Sequence, residues 1–269
     1  MIEAIQVKPR EWNRFTPGER LLRFAFYFLS VAAIVFSLKN IEIVPEYLLD
    51  APAQLADFFQ RMWPLDTPYY AKSVHAALIE TLNIATVGTL LSLTMAIPIG
   101  IMAAKNVVPY RLLNWLAQLI LITSRSVNTL VWALLFIAIF GPGALAGTMA
   151  IAFRSVGFIG KLFGESLEDS PTQAIDALKA TGASPSGIFL KGYWPQVKPA
   201  FASLVLFRWD INVRESAVLG LVGAGGIGMA MDSAMNLFRW DQVAVVLITI
   251  FVVVIVAEIL VTMIRRRII

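Results

Sequence analysis

Long apolar runs, separated by short polar stretches, predict six membrane-spanning helices. The runs cover residues 21–38, about 74–104, about 111–140, about 144–163, about 197–220 and about 243–264. A helix of about 20 residues is long enough to cross a bilayer. The second and third runs are longer, so we expect these helices to tilt, to kink or to extend beyond the lipid.

The polar interruption between the fourth and fifth runs, residues 165–196, has the signals of a helical hairpin. Ser170 is a good N-cap residue, and Pro171 suits the first position of a helix. Gly182 can adopt the left-handed conformation that ends this first helix, and Ser184 can begin a second one. An ordinary amphipathic connector between two spans is the alternative interpretation.

The distribution of Lys and Arg predicts the orientation of the spans. With a cytoplasmic N-terminus, the inside segments carry twelve of these residues and the outside segments carry four. Loops rich in Lys and Arg stay in the cytoplasm, so we expect both termini and the hairpin to be cytoplasmic. Residues 1–72 then hold an N-terminal cytoplasmic segment, the first span and an outer interfacial helix, and residues 73–269 hold the membrane core. The interfacial helix is expected to begin near Asp50 and Pro52 and to end at Pro64.

The composition indicates an all-α integral membrane protein. Of the 269 residues, 58% are hydrophobic and 15% are charged, and the mean hydropathy is +0.73, whereas soluble domains average about 25% charged residues. The net charge of +4 does not indicate nucleic-acid binding, because the basic residues lie at the ends of the spans. The chain has no cysteine, and its single histidine, His75, cannot build a metal site alone. We therefore predict no metal site and no intramembrane enzyme.

Several charged residues lie at membrane depth, where each costs about 2.5–3.5 kcal/mol and so needs a partner or a function. Arg125 lies in the third run and Arg154 in the fourth. Arg125 is the strongest single candidate for contact with a cargo, because no acidic residue on its own helix can neutralise it. Polar residues of the third and fifth runs are predicted to line a translocation path: Arg125, Ser126, Asn128, Arg208, Asp210, Asn212, Arg214, Glu215 and Ser216.

Helical spacing divides the polar residues of the fifth run into two faces. Arg208, Asn212 and Glu215 share one face, and Asp210 and Arg214 are i, i+4 neighbours on the opposite side. These residues are either ion pairs that hold helices together or the polar lining of a path. Both interpretations remain open, and each can hold for different residues.

A glycine-rich segment follows the fifth run at residues 222–228. It does not indicate a nucleotide-binding loop, because it follows a membrane helix rather than a β-strand. The chain also lacks a Gly-x4-Gly-Lys-Ser/Thr sequence, so we expect it to bind no ATP by that device. Glycines allow close helix packing and sharp turns. We predict a re-entrant turn that gates the outer end of the path, formed by Gly223, Gly225, Gly226 and Gly228.

Together these segments resemble permease subunits of ATP-binding-cassette (ABC) importers, in the phosphonate/phosphite branch. The hairpin resembles the Glu-Ala-Ala (EAA) loop of such permeases, with Asp176-Ala177-Leu178 in its place and with Gly182 and Pro195 at its spacing. The segment 218–228 is the part most specific to the branch. Further support comes from Glu80-Thr81-Leu82, Arg125-Ser126 and Gly160-Lys161-Leu162-Phe163.

The resemblance implies a type I ABC importer permease fold in the bacterial inner (cytoplasmic) membrane. It implies a homodimer of this subunit, two cytoplasmic ATP-binding subunits that hold ATP and Mg, and an extracytoplasmic substrate-binding protein. The chain itself would contact the lipid bilayer and bind no cofactor, and its cargo would be a small phosphorus oxyanion. The coupling loop 165–196 would meet the ATP-binding subunits through Asp176, Ala177, Leu178, Gly182, Ala183, Ile188 and Phe189.

Three residues depart from the family pattern. Asn128 stands where the family usually has proline, so the kink in the third span is expected to be softer or to have another source. Gly192 and Trp194 replace apolar residues, so the second half of the hairpin is expected to pack differently.

A self-sufficient secondary transporter of a small anion is the alternative function. Such transporters often contain an inverted repeat and a midplane ion site. No repeat is evident in the sequence, and the hairpin would have no role. ATP-stimulated uptake that requires partner subunits would distinguish the importer from this alternative.

Overall fold

The computed structural model describes residues 15–40 and 45–268, which contain helices, turns and loops and no β-strand. The helices are α1 (Pro17–Asn40), α2 (Pro45–Arg61), α3 (Thr67–Tyr69), α4 (His75–Ala103), α5 (Arg111–Ser126), α6 (Thr129–Phe140), α7 (Ala144–Glu168), α8 (Thr172–Ala180), α9 (Pro185–Ile188), α10 (Trp194–Leu219), α11 (Ile227–Asn236) and α12 (Trp240–Ile268). A π-helical turn, Tyr70–Val74, joins α3 to α4, and a second, Phe189–Tyr193, joins α9 to α10.

The helices confirm the predicted all-α class with several membrane spans. Within the described ranges, five helical segments are long and apolar enough to cross a membrane, and α5 with α6 makes a sixth if this bent pair is counted as one span. The five segments are Pro17–Asn40, Thr67–Ala103, Ala144–Glu168, Pro185–Asn236 and Trp240–Ile268.

The third span, predicted over residues 111–140 with a kink near Asn128, consists of two helices. The chain bends by 94° between α5 and α6. Asn128 has an extended backbone there, and its Oδ1 atom accepts a hydrogen bond from the Leu130 N–H at 3.0 Å. Asn128 therefore caps the N-terminus of α6, and this cap is the source of a sharp bend without proline. Of the two expectations for this kink, the one of a source other than proline agrees with the structure, and the one of a softer kink does not.

Residues up to 57 and residues from 58 onward form two compact units. In the first unit, Thr16 and Glu19 cap α1 reciprocally, since each backbone N–H donates to the other side chain, at 3.0 Å and 3.4 Å. No residue of α1 is buried, which suits an apolar helix in lipid. Residues 1–14 of the predicted cytoplasmic segment lie outside the described residues. The predicted division after residue 72, which separates the chain by function, stays a prediction.

The helix α2 begins earlier than the predicted start near Asp50 and Pro52. It starts at Pro45, and Pro52 lies inside it. Proline is favoured at the first helical position, where its missing N–H has no partner to lose. Pro52 therefore interrupts one hydrogen bond within a helix that has already formed.

In the second unit, glycines allow α4 and α7 to pack closely. A Cβ atom at Gly88 would lie 2.8 Å from Cγ2 of Ile151, and one at Gly100 would lie 2.8 Å from the Gly160 carbonyl oxygen. Small residues let membrane helices approach until their backbones are almost in contact. This close pair forms the centre of the second unit, and α5, α6 and α10 pack on it.

Gly157 allows α5 to rest on α7 just before the bend. A Cβ atom at Gly157 would lie 2.5 Å from the Leu121 carbonyl oxygen and 2.8 Å from the Arg125 backbone nitrogen. The Ser124 hydroxyl accepts a hydrogen bond from the Gly157 N–H at 3.0 Å and donates to the Phe153 carbonyl. The last turn of α5 is thus fixed on α7.

We expect Gly157→Ala to lower the thermal stability of the purified protein. The added methyl group meets backbone atoms of α5 that cannot rotate away, and overpacking of this kind costs about 1–3 kcal/mol. Gly18→Ala is the control, because a Cβ atom at Gly18 meets nothing within 4 Å. Thermal unfolding in detergent measures both variants. A Gly157→Ala midpoint equal to that of the wild type would contradict the packing.

Candidate functional site

A buried hydrogen-bonded network connects α4, α7 and α10. Arg208 and Asn212 are buried on one face of α10, as their i, i+4 spacing predicts. Nε of Arg208 donates to Oγ of Ser155 at 2.9 Å. Nδ2 of Asn212 donates to the same oxygen at 3.1 Å and to Oγ1 of Thr89 at 2.8 Å. Buried polar groups are costly without such partners, so these contacts hold the three helices together.

Glu215 lies nearly one turn beyond Asn212 and accepts hydrogen bonds from three different helices. Its Oε1 accepts from Nη1 of Arg154 at 2.7 Å. Its Oε2 accepts from the Thr129 hydroxyl at 2.7 Å and from Nη2 of Arg208 at 3.3 Å. Arg154 also donates to Thr129. One carboxylate therefore joins the start of α6, the middle of α7 and the last turns of α10.

A second ion pair lies next to this network on α10. Arg214 donates to Oδ2 of Asp210, which is the i, i+4 pairing expected from the sequence. The side chain of Asp210 is buried, and its Oδ1 has no hydrogen-bond partner among the described residues. The Arg214 side chain is 48% exposed. Asp210 therefore fixes an arginine whose outer part remains accessible.

Arg154, Arg214 and Glu215 line a pocket of about 320 Å³ beside the bend between α5 and α6. The volume lies at the lower end of the range of about 300–1,000 Å³ that is usual for small-molecule sites. Apolar side chains of α6 and α10 form part of the wall. The lining residues are Asn128, Thr129, Leu130, Arg154, Arg214, Glu215, Val218 and Leu219.

The structure brings together only some of the residues predicted to line a path. Asn128, Arg214 and Glu215 line the pocket, whereas Arg208, Asn212 and Asp210 are buried behind it. The remaining three are elsewhere. Arg125 and Ser126 are exposed at the end of α5, and the Ser216 hydroxyl donates to the Val213 carbonyl of its own helix at 2.8 Å.

Arg154 and Thr129 line the pocket but were not among the residues predicted to line a path, although Arg154 was recognised as a charge at membrane depth. Arg154 carried a usable signal, since it is a charge inside an apolar run with no acidic residue on the adjacent turns. Thr129 carried none, because threonine is common in membrane helices. Arg154 lies 61 positions from its partner Glu215 and Thr129 lies 86 positions from it, so only the fold brings the three together.

The predicted gate glycines form a tight turn between α10 and α11. Gly223, Gly225 and Gly226 have φ angles of 85°, 87° and 79°, which side chains rarely tolerate. Gly228 lies in α11, where a Cβ atom would meet the Ala217 carbonyl oxygen. The φ angles agree with the predicted sharp turn, and its re-entrant course and its role as a gate stay predictions.

The glycine turn is anchored to the first turns of α4 and the start of α7. The Thr81 hydroxyl accepts a hydrogen bond from the Ile227 N–H at 2.7 Å and donates to the Ala77 carbonyl at 2.8 Å. The Gly143 N–H donates to the Gly223 carbonyl at 2.9 Å. The helices α4, α7 and α11 therefore meet at this turn, on the side of the bundle away from the hairpin.

The polar interruption forms the predicted helical hairpin, α8 and α9. Gly182 has a φ angle of 72°, and the Ala183 N–H donates to the Leu178 carbonyl at 3.2 Å, which is the closing contact of a left-handed helix end. The Ser184 hydroxyl accepts from the Gly187 N–H at 3.3 Å and caps α9. The hairpin therefore stops and restarts where the sequence indicates.

The predicted N-cap at Ser170 is wrong. Its hydroxyl donates to the Ser166 carbonyl at 2.9 Å, so it ends α7 rather than beginning α8. The helix α8 begins at Thr172, with Pro171 preceding it and no side-chain cap. Ser170 follows α7 so closely that a carbonyl of that helix is its nearest partner.

The coupling residues differ in exposure. Asp176, Ala177 and Gly182 are exposed, whereas Leu178, Ala183, Ile188 and Phe189 are partly buried. The inner side of the hairpin is anchored by buried Ile175 and by Gly192, where a Cβ atom would lie 3.2 Å from Cδ1 of Leu178. Gly192 thus allows a close contact between the two halves of the hairpin.

The fold is similar to that of solved ABC importers. In a structure of the MetNI methionine ABC transporter in an inward-facing conformation, one chain matches with a TM-score of 0.67 and 20% identity, over 76% of this chain and 100% of that chain. A bacterial ABC transporter involved in the import of the acidic polysaccharide alginate gives a TM-score of 0.57 at 14% identity, over 92% of this chain and 99% of that chain. These likenesses define the class, a type I ABC importer permease fold, and confirm the predicted fold.

Residues 96–269 match the family described as binding-protein-dependent transport system inner membrane component, and the chain belongs to this family. The phosphite transport system permease protein PtxC of Stutzerimonas stutzeri is 34% identical over 84% of this chain and 84% of its own length. The putative phosphite permease HtxC of the same organism is 40% identical over 65% and 62% of the two chains. The phosphate-import permease PhnE of Mycolicibacterium smegmatis is 32% identical over 93% of this chain and 47% of its own length. The chain is therefore a multi-pass permease subunit, which favours the importer over a self-sufficient secondary transporter.

We expect Asn128→Ala to destabilise the bend, because the substitution removes the hydrogen bond that caps α6. Loss of an N-cap side chain costs about 0.5–2 kcal/mol. Asn128→Ser is the matched control, since serine supplies an equivalent cap. Thermal unfolding of the purified protein should place Asn128→Ser close to the wild type and Asn128→Ala clearly below both. Equal midpoints for the two variants would show that the cap does not hold the bend.

Proposed function

We propose that this permease subunit carries small phosphorus oxyanions, such as phosphite or a phosphonate, along a path that passes the pocket beside the α5–α6 bend. The observation that carries the proposal is the meeting of two partly exposed arginines, Arg154 and Arg214, with the hydroxyl of Thr129 in that pocket. Relatives named for phosphite transport and for phosphate import support this class of cargo.

The chemistry of the pocket suits an oxyanion. Such an anion is strongly hydrated, so a narrow passage of low dielectric must replace its lost water with N–H and O–H donors. Guanidinium groups are always charged and present a planar fork of donors to such oxygens. Both pocket arginines also have a carboxylate partner, so cargo is held weakly, as release requires.

The proposed transport cycle is alternating access between an outward-open and an inward-open state. A second permease copy would complete the path, and two cytoplasmic subunits would bind ATP and Mg, while this chain binds no cofactor. An extracytoplasmic binding protein would deliver the cargo. ATP would favour one of two conformations, and the binding protein and cargo would bias the same equilibrium.

The proposed orientation places both termini and the α8–α9 hairpin in the cytoplasm of a bacterium, with the chain in the inner membrane. The distribution of twelve Lys and Arg against four supports it. In this orientation the hairpin faces the ATP-binding subunits, and the glycine turn lies toward the outer face. The exposed residues Asp176, Ala177 and Gly182 are available for docking.

Uptake by the reconstituted importer tests the cargo and the pocket together. Wild-type protein with its partner subunits should show ATP-dependent uptake of phosphite or methylphosphonate. Arg154→Gln should reduce that uptake about tenfold or more, since a hydrogen bond to a charged group contributes about 1.5–3 kcal/mol. Arg125→Gln should reduce it less, because Arg125 lies outside the pocket lining.

Lys161→Gln is the matched control for these variants. Lys161 lies on α7, as Arg154 does, but it pairs with the exposed Glu165 at 3.0 Å, and exposed pairs of this kind contribute little. Its uptake should stay near the wild-type rate. Normal uptake by Arg154→Gln would remove the pocket from the path, and absence of phosphorus oxyanion uptake by the wild type would contradict the proposed cargo.

We expect Gly182→Val to weaken coupling to the ATP-binding subunits. A β-branched residue is a strong outlier at a φ angle of 72°, and the strain would distort the exposed end of α8. Gly182→Asn is the control, since asparagine tolerates the left-handed conformation. Co-purification with the ATP-binding subunits and ATP-driven uptake should both fall for valine and be largely retained for asparagine. Normal association of the valine variant would assign coupling to another segment.

A further inference from the structure

We propose that Glu215 acts as a resident anion, which occupies Arg154 when no cargo is bound and exchanges with the oxyanion as it passes. The proposal rests on the proposed function of the pocket and adds a role for its carboxylate. In this scheme the cargo does not enter an empty site. It displaces Oε1 of Glu215 from the guanidinium group of Arg154 and Oε2 from the hydroxyl of Thr129.

The contacts of Glu215 resemble those that a bound oxyanion would make. Its two oxygens engage Arg154 and Thr129 at 2.7 Å each, and Arg154 donates to Thr129 as well. A phosphite or phosphonate group offers two acceptor oxygens to the same pair of donors. Carboxylate and oxyanion therefore compete for one set of hydrogen bonds.

The exposed fractions of the side chains show where the exchange occurs. Arg154 is 29% exposed and Glu215 is 20% exposed, whereas Arg208 is 3% exposed. A cargo in the pocket can reach Arg154 and cannot reach Arg208. The exchange is therefore confined to the Arg154 side of the carboxylate.

Arg208 keeps Glu215 close to the pocket while the cargo is bound. Its Nη2 lies 3.3 Å from Oε2 of Glu215, and its Nε is held by Ser155 at 2.9 Å. A buried guanidinium without a counter-charge is strongly unfavourable, so Glu215 stays beside Arg208 when it leaves Arg154. From there it can return and displace the cargo.

The exchange keeps every charge in the site paired. Before it, Arg154 pairs with Glu215; after it, Arg154 pairs with the oxyanion and Glu215 with Arg208. The site thus avoids an unpaired arginine in the pocket, which would bind the cargo too tightly for release. It also avoids an unpaired buried charge at Arg208. Affinity for the cargo is lowered by the competition, and the release rate is raised.

Glu215→Gln tests the exchange, because glutamine keeps the shape and one acceptor oxygen but not the charge. We expect equilibrium binding of labelled phosphite to the purified, nucleotide-free importer to tighten by about tenfold once the competing carboxylate is neutral. The maximal rate of ATP-driven phosphite uptake should fall, because release slows. Arg154→Gln should instead lose both binding and uptake.

Two further variants keep the test decisive if Glu215→Gln folds poorly. Glu215→Asp keeps the charge beside Arg208 but is one methylene shorter, so it competes less well for Arg154. It should also bind phosphite more tightly and take it up more slowly than the wild type, but by smaller factors than Glu215→Gln. Glu165→Gln is the matched control, since Glu165 is also paired with a basic residue but lies on the exposed side of α7. It should behave as the wild type in both measurements.

Two results would overturn the exchange. If Glu215→Gln loses phosphite binding as Arg154→Gln does, Glu215 only positions Arg154; if it changes neither binding nor uptake, the carboxylate does not compete. A failure of the proposed cargo would be seen separately, as absence of phosphite uptake by the wild type. In that event, stabilisation of the purified importer by a series of other oxyanions still tests the exchange: it should be larger in Glu215→Gln than in the wild type, and equal stabilisation would refute it.

Discussion

The requirement that charges within a membrane protein be paired determines how this bundle is assembled. Glu215 receives donors from α6, α7 and α10, so these helices cannot separate without leaving a charge alone in a medium that solvates it poorly. The other features serve this arrangement. The bend at Asn128 brings Thr129 to the carboxylate, and the glycines of α4 and α7 bring Ser155 and Thr89 within reach of α10.

Much of the fold could be predicted from local sequence signals. Apolar runs indicated the spans, and the left-handed Gly182 with the cap at Ser184 placed the hairpin, because both effects depend on neighbouring residues alone. For the bend at Asn128 the sequence left open a softer kink or another source, since a side-chain cap and a proline produce a similar break by different means. The hydroxyl of Ser170 could either donate to a carbonyl at the end of α7 or accept from an N–H at the start of α8. Sequence spacing alone does not decide between these two hydrogen bonds.

The site was harder to predict than the fold. The pairing of Asp210 with Arg214 follows from the period of one helix, and it is present. The partner of Glu215 on α7 does not follow from any period, because it depends on how three helices are rotated against each other. Arg125 looked most promising on the criterion of having no acid nearby on its own helix, yet the residue in the pocket is Arg154. A criterion limited to one helix cannot find a partner on another.

The helix α10 connects the α8–α9 hairpin to the pocket. It runs over 26 residues from Trp194, directly after the hairpin, to Leu219, just beyond Glu215. At 1.5 Å per residue, Glu215 lies roughly 30 Å from the start of the helix, so a tilt of about 5° about the hairpin end would carry its carboxylate roughly 3 Å. That distance is about the length of one hydrogen bond. A small rotation of α10 about its hairpin end would therefore be enough to make or break the contact between Glu215 and Arg154.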